Sequence, residues 1–409
     1  MNKPTKTAPR GFRPWPFSYH EEIELEIQTL TNMGKGLART HDGWVVFVPF
    51  CLPGESVLAR IYRNDKNFSE ADLLKVIKSS PERVQPQCAL FGQCGGCQYQ
   101  NLGYNHQLKW KRKQLEELLR HMANIDFPVK EVIPSPLEYG YRSKITPHFN
   151  KPKNNQIAEI GFQQAGRRQL VDVNHCNIAH PAINQRLEEM RASIRQKAAT
   201  YKKGATLLLR ADSHGVVHTS PAEIATDRVN NVEFEYPAGS FFQNNPSILD
   251  RFTTHVRKSA LAEGSEFLVD AYCGAGLFAL TAAPHFKQVV GIEVSEESIF
   301  WASKNAQSNG FENAQFIRGK VEDFFNEISF PPNKTAVVID PPRKGCSRDF
   351  LSQLFIFAPR NVIYVSCNPS TQLRDLILFQ EAGYRLAEVQ PFDLFPQTKH
   401  LECVMSLRK

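Results

Sequence analysis

Three cysteines in one short stretch, Cys88, Cys94 and Cys97, have five and two residues between them, and Gly95 and Gly96 allow the sharp loop that wraps a metal centre. Three thiols at this spacing, joined by a distant fourth, fit either a four-iron cluster or a zinc site. Cys51 and Cys403 compete for the fourth place, although both lie in apolar, strand-like runs that would bury them elsewhere. A second chemistry is carried by Cys367, in Ser366-Cys367-Asn368-Pro369. A buried cysteine is more often inert packing. At a pocket rim beside a helix N-terminus, however, a lowered pKa makes thiolate, a strong nucleophile at neutral pH. Glu402, in His400-Leu401-Glu402-Cys403, could supply a base, although a lone glutamate in a strand is usually a solvated edge residue.

The stretch Asp270-Ala271-Tyr272-Cys273-Gly274-Ala275-Gly276 follows an apolar run. Its two glycines let the backbone turn tightly and approach a ligand at the carboxyl edge of a sheet. Position 279 is alanine where a dinucleotide fingerprint has its third glycine, so the loop alone is a weak signal. Glu293, at the end of the next apolar run, stands where a carboxylate can accept hydrogen bonds from both hydroxyls of a ribose, and a nucleoside cofactor fits. Asp340-Pro341-Pro342-Arg343-Lys344-Gly345 ends a further run. Two prolines cannot continue a strand ladder and fix a rigid loop at the same edge. In amino-group methyltransferases a related loop holds an exocyclic nitrogen and ends in an aromatic residue that stacks on the base; here the fourth residue is Arg343.

These residues need a sheet to gather them. From about residue 266, short apolar runs alternate with helical patterns, which predicts a mostly parallel, doubly wound α/β domain. Ser295 as N-cap, Glu296 and Glu297 in the first turn and Gly310 beyond the last turn delimit one helix. Two consecutive strands at the end would pair antiparallel at one edge. Between Ile23 and Ile77, short alternating runs with Gly and charged turns predict a small β-barrel, a fold that binds oligonucleotides in some proteins and is inert in others. The segment from about 130 to 240 reads as α+β without a legible function.

Composition narrows the class. Hydrophobic residues at 42% and charged residues at 22% exclude a disordered or fibrous chain. Forty-nine Lys and Arg against 42 Asp and Glu leave a net charge of +7, concentrated at Lys3, Lys6, Arg10 and Arg13 in a Pro-rich arm expected to be disordered, and at Lys109, Lys111, Arg112 and Lys113. Polyanions are candidate partners. No apolar run reaches the roughly 18 residues of a membrane helix, and the N-terminus lacks the apolar core of a signal peptide, so a cytoplasmic protein with reduced cysteines and no membrane partner is expected.

Taken together, FFQNN at 241–245, DAYCGAG, GIE at 291–293, DPPRKG, SCNPST and HLE resemble the RNA 5-methyluridine methyltransferases, which use S-adenosylmethionine. The likeness spans about 170 residues in the right order, and the combination is highly specific. The β-rich segment resembles their TRAM domain, and the cysteine cluster resembles the iron–sulfur motif of the ribosomal RNA branch. The resemblance implies an OB-like TRAM barrel at 14–80, a central α+β domain with the cluster at 81–240, and a Rossmann-like methyltransferase domain at 241–409. It makes Cys367 the nucleophile that adds to uracil C6 and Glu402 the base that removes the C5 proton. Gln243, Tyr272, Glu293 and Asp340 match cofactor-pocket positions, Phe241 a position near the substrate bases, and Cys176 the fourth ligand of a [4Fe-4S] cluster. Leu277 stands where many members carry Asn. The implied reaction is methylation of uridine C5 in RNA by a monomer, with 23S ribosomal RNA the expected substrate. Three alternatives stay open: a transfer RNA T-loop uridine, an amino-group nucleic-acid methyltransferase, and a non-catalytic RNA-binding factor.

Overall fold

Alternating side chains along Glu22–Leu30 turn Leu25, Ile27 and Leu30 inward, and the same period governs the strands that follow. In the computed structural model, which describes residues 8–320 and 328–409, β1 (Glu22–Leu30), β2 (Lys35–Arg39), β3 (Val45–Pro49), β4 (Ser56–Asn64) and β5 (Phe68–Lys78) close a barrel in the order β1-β2-β3-β5-β4. Closure leaves no open edge. Its core holds Leu25, Ile27, Val46, Val48, Ala59 and Ile61. Cys51 belongs to that core, its Sγ donating to the Val48 carbonyl at 3.1 Å, and burial pushes its thiol up to about 12. It is therefore a packing residue.

The chain divides into two compact units, one of Met1–Gln114, Gln163–Gln169 and Gln397–Lys399, the other of Leu115–Phe162, Leu170–Pro396 and His400–Lys409. In the first, two sequence expectations change. Within the described residues the arm is built against the barrel: Phe12 and Phe17 pack against its core, and Asn64 Nδ2 donates to the carbonyls of Arg13 and Phe17, both at 2.7 Å. Lys3 and Lys6 lie outside the described residues. The second basic stretch, on α1 (Tyr104–Ala123), is thinner than its composition suggests, because Lys111 is only 1% exposed and lies 5.8 Å from the Tyr99 ring centroid. Helical geometry turns one of the stretch's four cations inward.

Glu55 is the ionic anchor of this unit. Its fully buried carboxylate is gripped by Arg83 Nε and Nη2, and it also accepts from the backbone N–H groups of Leu52 and Ser80.

In the second unit, small antiparallel sheets drawn from residues 144–218 pack with α2 (Pro181–Gln196), which buries Ile183, Leu187 and Ile194. The large sheet contains β6 (Phe267–Ala271), β7 (Gln288–Glu293), β8 (Ala314–Arg318), β9 (Thr335–Ile339), β10 (Asn361–Ser366), β11 (Arg385–Phe392) and β12 (Glu402–Arg408) in the order β8-β7-β6-β9-β10-β12-β11. Every residue of β9 and β10 is buried, as a parallel sheet covered on both faces requires. The last strand, β12, inserts antiparallel between β10 and β11, so the expected antiparallel pair is present. Helices α3 (Pro246–Leu261), α4 (Leu277–Ala282), α5 (Glu296–Ser308), α6 (Arg348–Phe357) and α7 (Pro369–Glu381) complete the unit. Ser295 caps α5 by accepting from the Ser298 N–H, as its sequence indicated. The helix expected between β8 and β9 falls largely on residues 321–327, outside the described residues. Among the described residues no helix is long and apolar enough to cross a membrane.

Removing one partner of a buried ion pair leaves an uncompensated charge, at a cost of about 3–5 kcal/mol. Arg83→Ala should therefore lower the unfolding free energy of the first unit by about that amount in urea denaturation. A change below about 1 kcal/mol, typical of exposed pairs, would contradict this role for Glu55.

Candidate active site

Strand register assembles the site. Ala271 pairs with Ile292 on one side and Ile339 on the other, so Tyr272, Glu293 and Asp340 leave three adjacent strands at one level. On the far side of β9, Ser366 pairs with Cys403, and Glu402 pairs with Phe392. Antiparallel pairing continued by one residue sets Cys367 opposite Glu402. Five residues singled out from sequence thus converge on the carboxyl edge of one sheet, where open α/β sheets bind ligands.

The first loop is tightly wound. Tyr272 adopts φ 68°, Gly274 φ 54° and Gly276 φ 89°. A tyrosine in that region carries backbone strain, and its ring is held edge-on to Phe350 at 5.4 Å. A Cβ at Gly276 would meet Leu280 and Phe316 at 3.1 Å, so the second glycine serves both turn and packing. Below the loop, Asp270 Oδ2 accepts from the Ala279 N–H at 2.8 Å. Burial, with Asp340 and Glu293 adding, pushes Asp270 up to about 8 against that bond. Glu293 Oε1 accepts from the N–H groups of Val294 (2.8 Å) and Ser295 (3.0 Å), which fixes the carboxylate at the strand end.

Gln243 is buried in a strap that precedes α3, while Phe241 in the same strap is 75% exposed. Both ends of the strap are tied. Asn245 Nδ2 donates to Ser135 Oγ and to the Leu394 carbonyl, each at 3.0 Å. Arg210, fully buried, donates to the carbonyls of Ala238 (3.0 Å) and Ser240 (2.9 Å) and to the Tyr236 hydroxyl (3.1 Å). Lys144 Nζ reaches the Gly239 carbonyl at 2.8 Å. Sequence reasoning missed Arg210, because an arginine at the end of ATLLLR reads as a strand terminus.

The Asp340–Gly345 loop is held by α7. Asp375 Oδ2 accepts from the Cys346 N–H (2.9 Å) and the Tyr364 hydroxyl (2.7 Å), while the Arg343 carbonyl accepts from Asn368 Nδ2 (2.9 Å) and Thr371 Oγ1 (3.2 Å). Asp375 was also missed: nothing local marks a mid-helix aspartate as a loop anchor.

Electrostatics correct one expectation. Cys367 is half-buried beside the start of α7, yet its thiol is pushed up to about 11, by burial first and then by Glu402 and Asp340; the charge and hydrogen bonding of Arg343 oppose this. The anticipated acidic thiol is absent because burial, joined by the nearby carboxyls, outweighs the helix end. Glu402, 2% exposed, is itself held well above the carboxylate range by burial and Asp340, again opposed by Arg343. Burial lifts Asp340 to about 7.

The metal-type cysteines lie elsewhere. Cys88, Cys94 and Cys97 share a half-buried loop of the first unit, in which the Gly95 N–H donates to the Gln163 carbonyl at 2.9 Å and burial, with Cys88 adding, raises the Cys94 thiol. Cys176 belongs to the second unit; its N–H donates to Asn184 Oδ1 at 2.8 Å. Among the described residues no group of three or more His, Cys, Asp or Glu is placed to hold a metal ion, so the expected [4Fe-4S] site is not assembled by the structure itself. The donor chemistry of the loop, three thiols with no carboxylate from Cys88 to Cys97, does suit a soft centre. Cys51 and Cys403 are both enclosed in cores and supply no fourth ligand.

Comparisons with known proteins converge on one family. Residues 222–409 match the family model described as tRNA (Uracil-5-)-methyltransferase, and residues 20–74 match the TRAM domain. The chain is 40% identical to the tRNA (uracil(54)-C(5))-methyltransferase of Schizosaccharomyces pombe, over 96% of this chain and 79% of that one. Identity to the Saccharomyces cerevisiae protein of the same name is 34%, over 97% and 75%. Among solved structures, the Pyrococcus abyssi tRNA (uracil-54, C5)-methyltransferase in complex with S-adenosyl-L-homocysteine covers 94% of this chain and 100% of its own, at 25% identity and a TM-score of 0.74.

Only thiolate reacts with a haloacetamide. Alkylation of Cys367 in the ligand-free protein, followed by peptide mass spectrometry, should accelerate about tenfold per pH unit from pH 7 to 10, since the thiolate fraction rises until pH nears 11. A plateau at or below pH 8 would restore the acidic thiol.

Proposed function

Because this chain belongs to the RNA (uracil-5-)-methyltransferases and methylates uracil C5 in RNA with S-adenosylmethionine, we propose that its substrate is a transfer RNA uridine at position 54 and that transfer proceeds through a covalent adduct on Cys367. The placement of Cys367 opposite Glu402 carries the mechanism. The relatives named for uracil 54 support the substrate, in place of the 23S ribosomal RNA expected from the cysteine cluster.

Uracil C5 is a poor nucleophile. Addition of the Cys367 sulfur to C6 moves the C5=C6 π electrons toward O4 and gives C5 carbanion character. S-adenosylmethionine, held in this reading by Gln243, Tyr272, Glu293 and Asp340, supplies an electrophilic methyl group when bound. Glu402 then takes the C5 proton, the C6–S bond breaks, and the double bond returns with the thiolate released. Arg343 opposes the upward shifts of both Cys367 and Glu402, and so favours the ionised form each needs at its step. The base must leave its stack for C6 and C5 to be reached from opposite faces. In this reading the 14–80 barrel and the 81–240 segment grip RNA while residues 241–409 carry the chemistry.

The test uses RNA from cells lacking the activity, separated into transfer and ribosomal pools and incubated with methyl-labelled S-adenosylmethionine. Label should appear as 5-methyluridine in the transfer pool. Label confined to the ribosomal pool would overturn the substrate assignment, and label in a methylated purine would overturn the chemistry. Cys367→Ala should abolish both turnover and adduct, whereas Glu402→Gln should slow turnover roughly 10²–10⁴-fold and let adduct accumulate.

A [4Fe-4S] cluster on the loop of Cys88, Cys94 and Cys97 is proposed with a structural role only. Anaerobically purified full-length protein should contain iron and sulfide, with a visible charge-transfer band that Cys88→Ser removes. A colourless preparation carrying zinc or no metal would contradict it.

A further inference from the structure

Residues 8–19 precede the TRAM match, which begins at residue 20. They are nonetheless built into the barrel by a continuous relay. Trp44 Nε1 donates to Ser69 Oγ at 2.9 Å, Ser69 Oγ donates to Asn64 Oδ1 at 2.7 Å, and Asn64 Nδ2 donates to the carbonyls of Arg13 and Phe17. Asn64 and Ser69 are buried, so the relay is shielded from water. Phe12 meets Tyr19 edge-on at 5.2 Å, and both Phe12 and Phe17 rest on the barrel core. The backbone on both sides of Trp15 is thereby fixed.

What this framework holds outward is an indole. Trp15 is 66% exposed and stands edge-to-face on Trp44, with ring centroids 5.0 Å apart and an interplanar angle of 81°. Large aromatic side chains gain by burial, so a tryptophan pinned in place and left exposed is available to a partner that covers it. The surrounding charge indicates which kind. The first twenty residues contain Arg10 and Arg13 and no acid. On the neighbouring hairpin, Asp65 pairs with Arg63, and Glu70 pairs with Lys35 and Arg63. An exposed ring on an arm that carries Arg10 and Arg13 and no acid, beside a hairpin whose Asp65 and Glu70 are already paired, is complementary to a nucleobase and its phosphates.

We propose that Trp15, braced by Trp44, is a stacking platform for an unpaired base of the RNA substrate, with Arg10 and Arg13 contacting the adjoining phosphates. The proposal rests on the reading of RNA as substrate and adds a contact outside the catalytic unit. Stacking accepts any base, since each has a π face, and the arginines add a salt-sensitive term. The platform therefore contributes affinity without sequence choice.

The experiment compares full-length wild type, Trp15→Ala, Trp15→Phe and Arg13→Ala. Equilibrium binding to an unmodified transfer RNA transcript and to oligouridine is measured alongside KM, kcat and thermal melting. Trp15→Ala should weaken binding and raise KM roughly tenfold with kcat at saturating RNA unchanged; Trp15→Phe should recover most of that loss; Arg13→Ala should reduce the salt slope by about one. Wild-type binding and KM in Trp15→Ala overturn the platform and leave the methylation reading intact. Equal losses in both Trp15 variants together with a lower melting temperature overturn it in favour of a packing role. Trp15-dependent RNA binding by a protein that labels no uridine would support the platform while the catalytic reading fails.

Discussion

Asp270, Asp340 and Glu402 reach the carboxyl edge of one sheet, where burial removes the water that would let all three ionise. Taking a carboxylate out of water costs several kcal/mol unless a cation or several hydrogen bonds offset it. Burial accordingly raises all three carboxyls, Asp270 to about 8 and Asp340 to about 7. Cys367 shares this field and stays a thiol at rest. Arg343 opposes the shift in both Cys367 and Glu402. Each step of the chemistry needs one of these groups ionised, so the position of Arg343 sets what the site can do.

That position is controlled by the element that also carries the nucleophile. Asn368, just before α7, and Thr371, in its first turn, hold the Arg343 carbonyl, and Asp375, in the middle of α7, holds the Cys346 N–H. Cys367 immediately precedes Asn368. The thiol and the backbone that carries its modulating cation are therefore tied to the same helix. The Phe241–Gln243 strap is tied separately, by the buried Arg210 and Asn245 at its two ends.

Much of this was legible in sequence where the signal is local. Alternating apolar runs predicted the sheet, Ser295 and Gly310 bounded their helix, and the doubled proline after Asp340 marked the rigid edge loop. What escaped depends on residues distant in the chain. The thiol of Cys367 was expected to be acidic from its neighbouring helix, but burial, reinforced by Glu402 and Asp340, 35 and 27 residues away, reverses the direction. Lys111 looked like a phosphate contact until helical phase turned it inward, and the arm looked disordered because Asn64, which pins it, lies some fifty residues downstream. Asp375 and Arg210 carry no motif at all.

The measurement that bears most directly on the central claim is trapping with RNA containing 5-fluorouridine. Its C5 carries no proton for Glu402 to remove, so a covalent intermediate formed by Cys367 cannot resolve. Peptide mass spectrometry of the trapped species should find methylated fluorouridine joined to the peptide containing Cys367, dependent on S-adenosylmethionine. A methylated product released without adduct, or an adduct on another cysteine, would contradict the account.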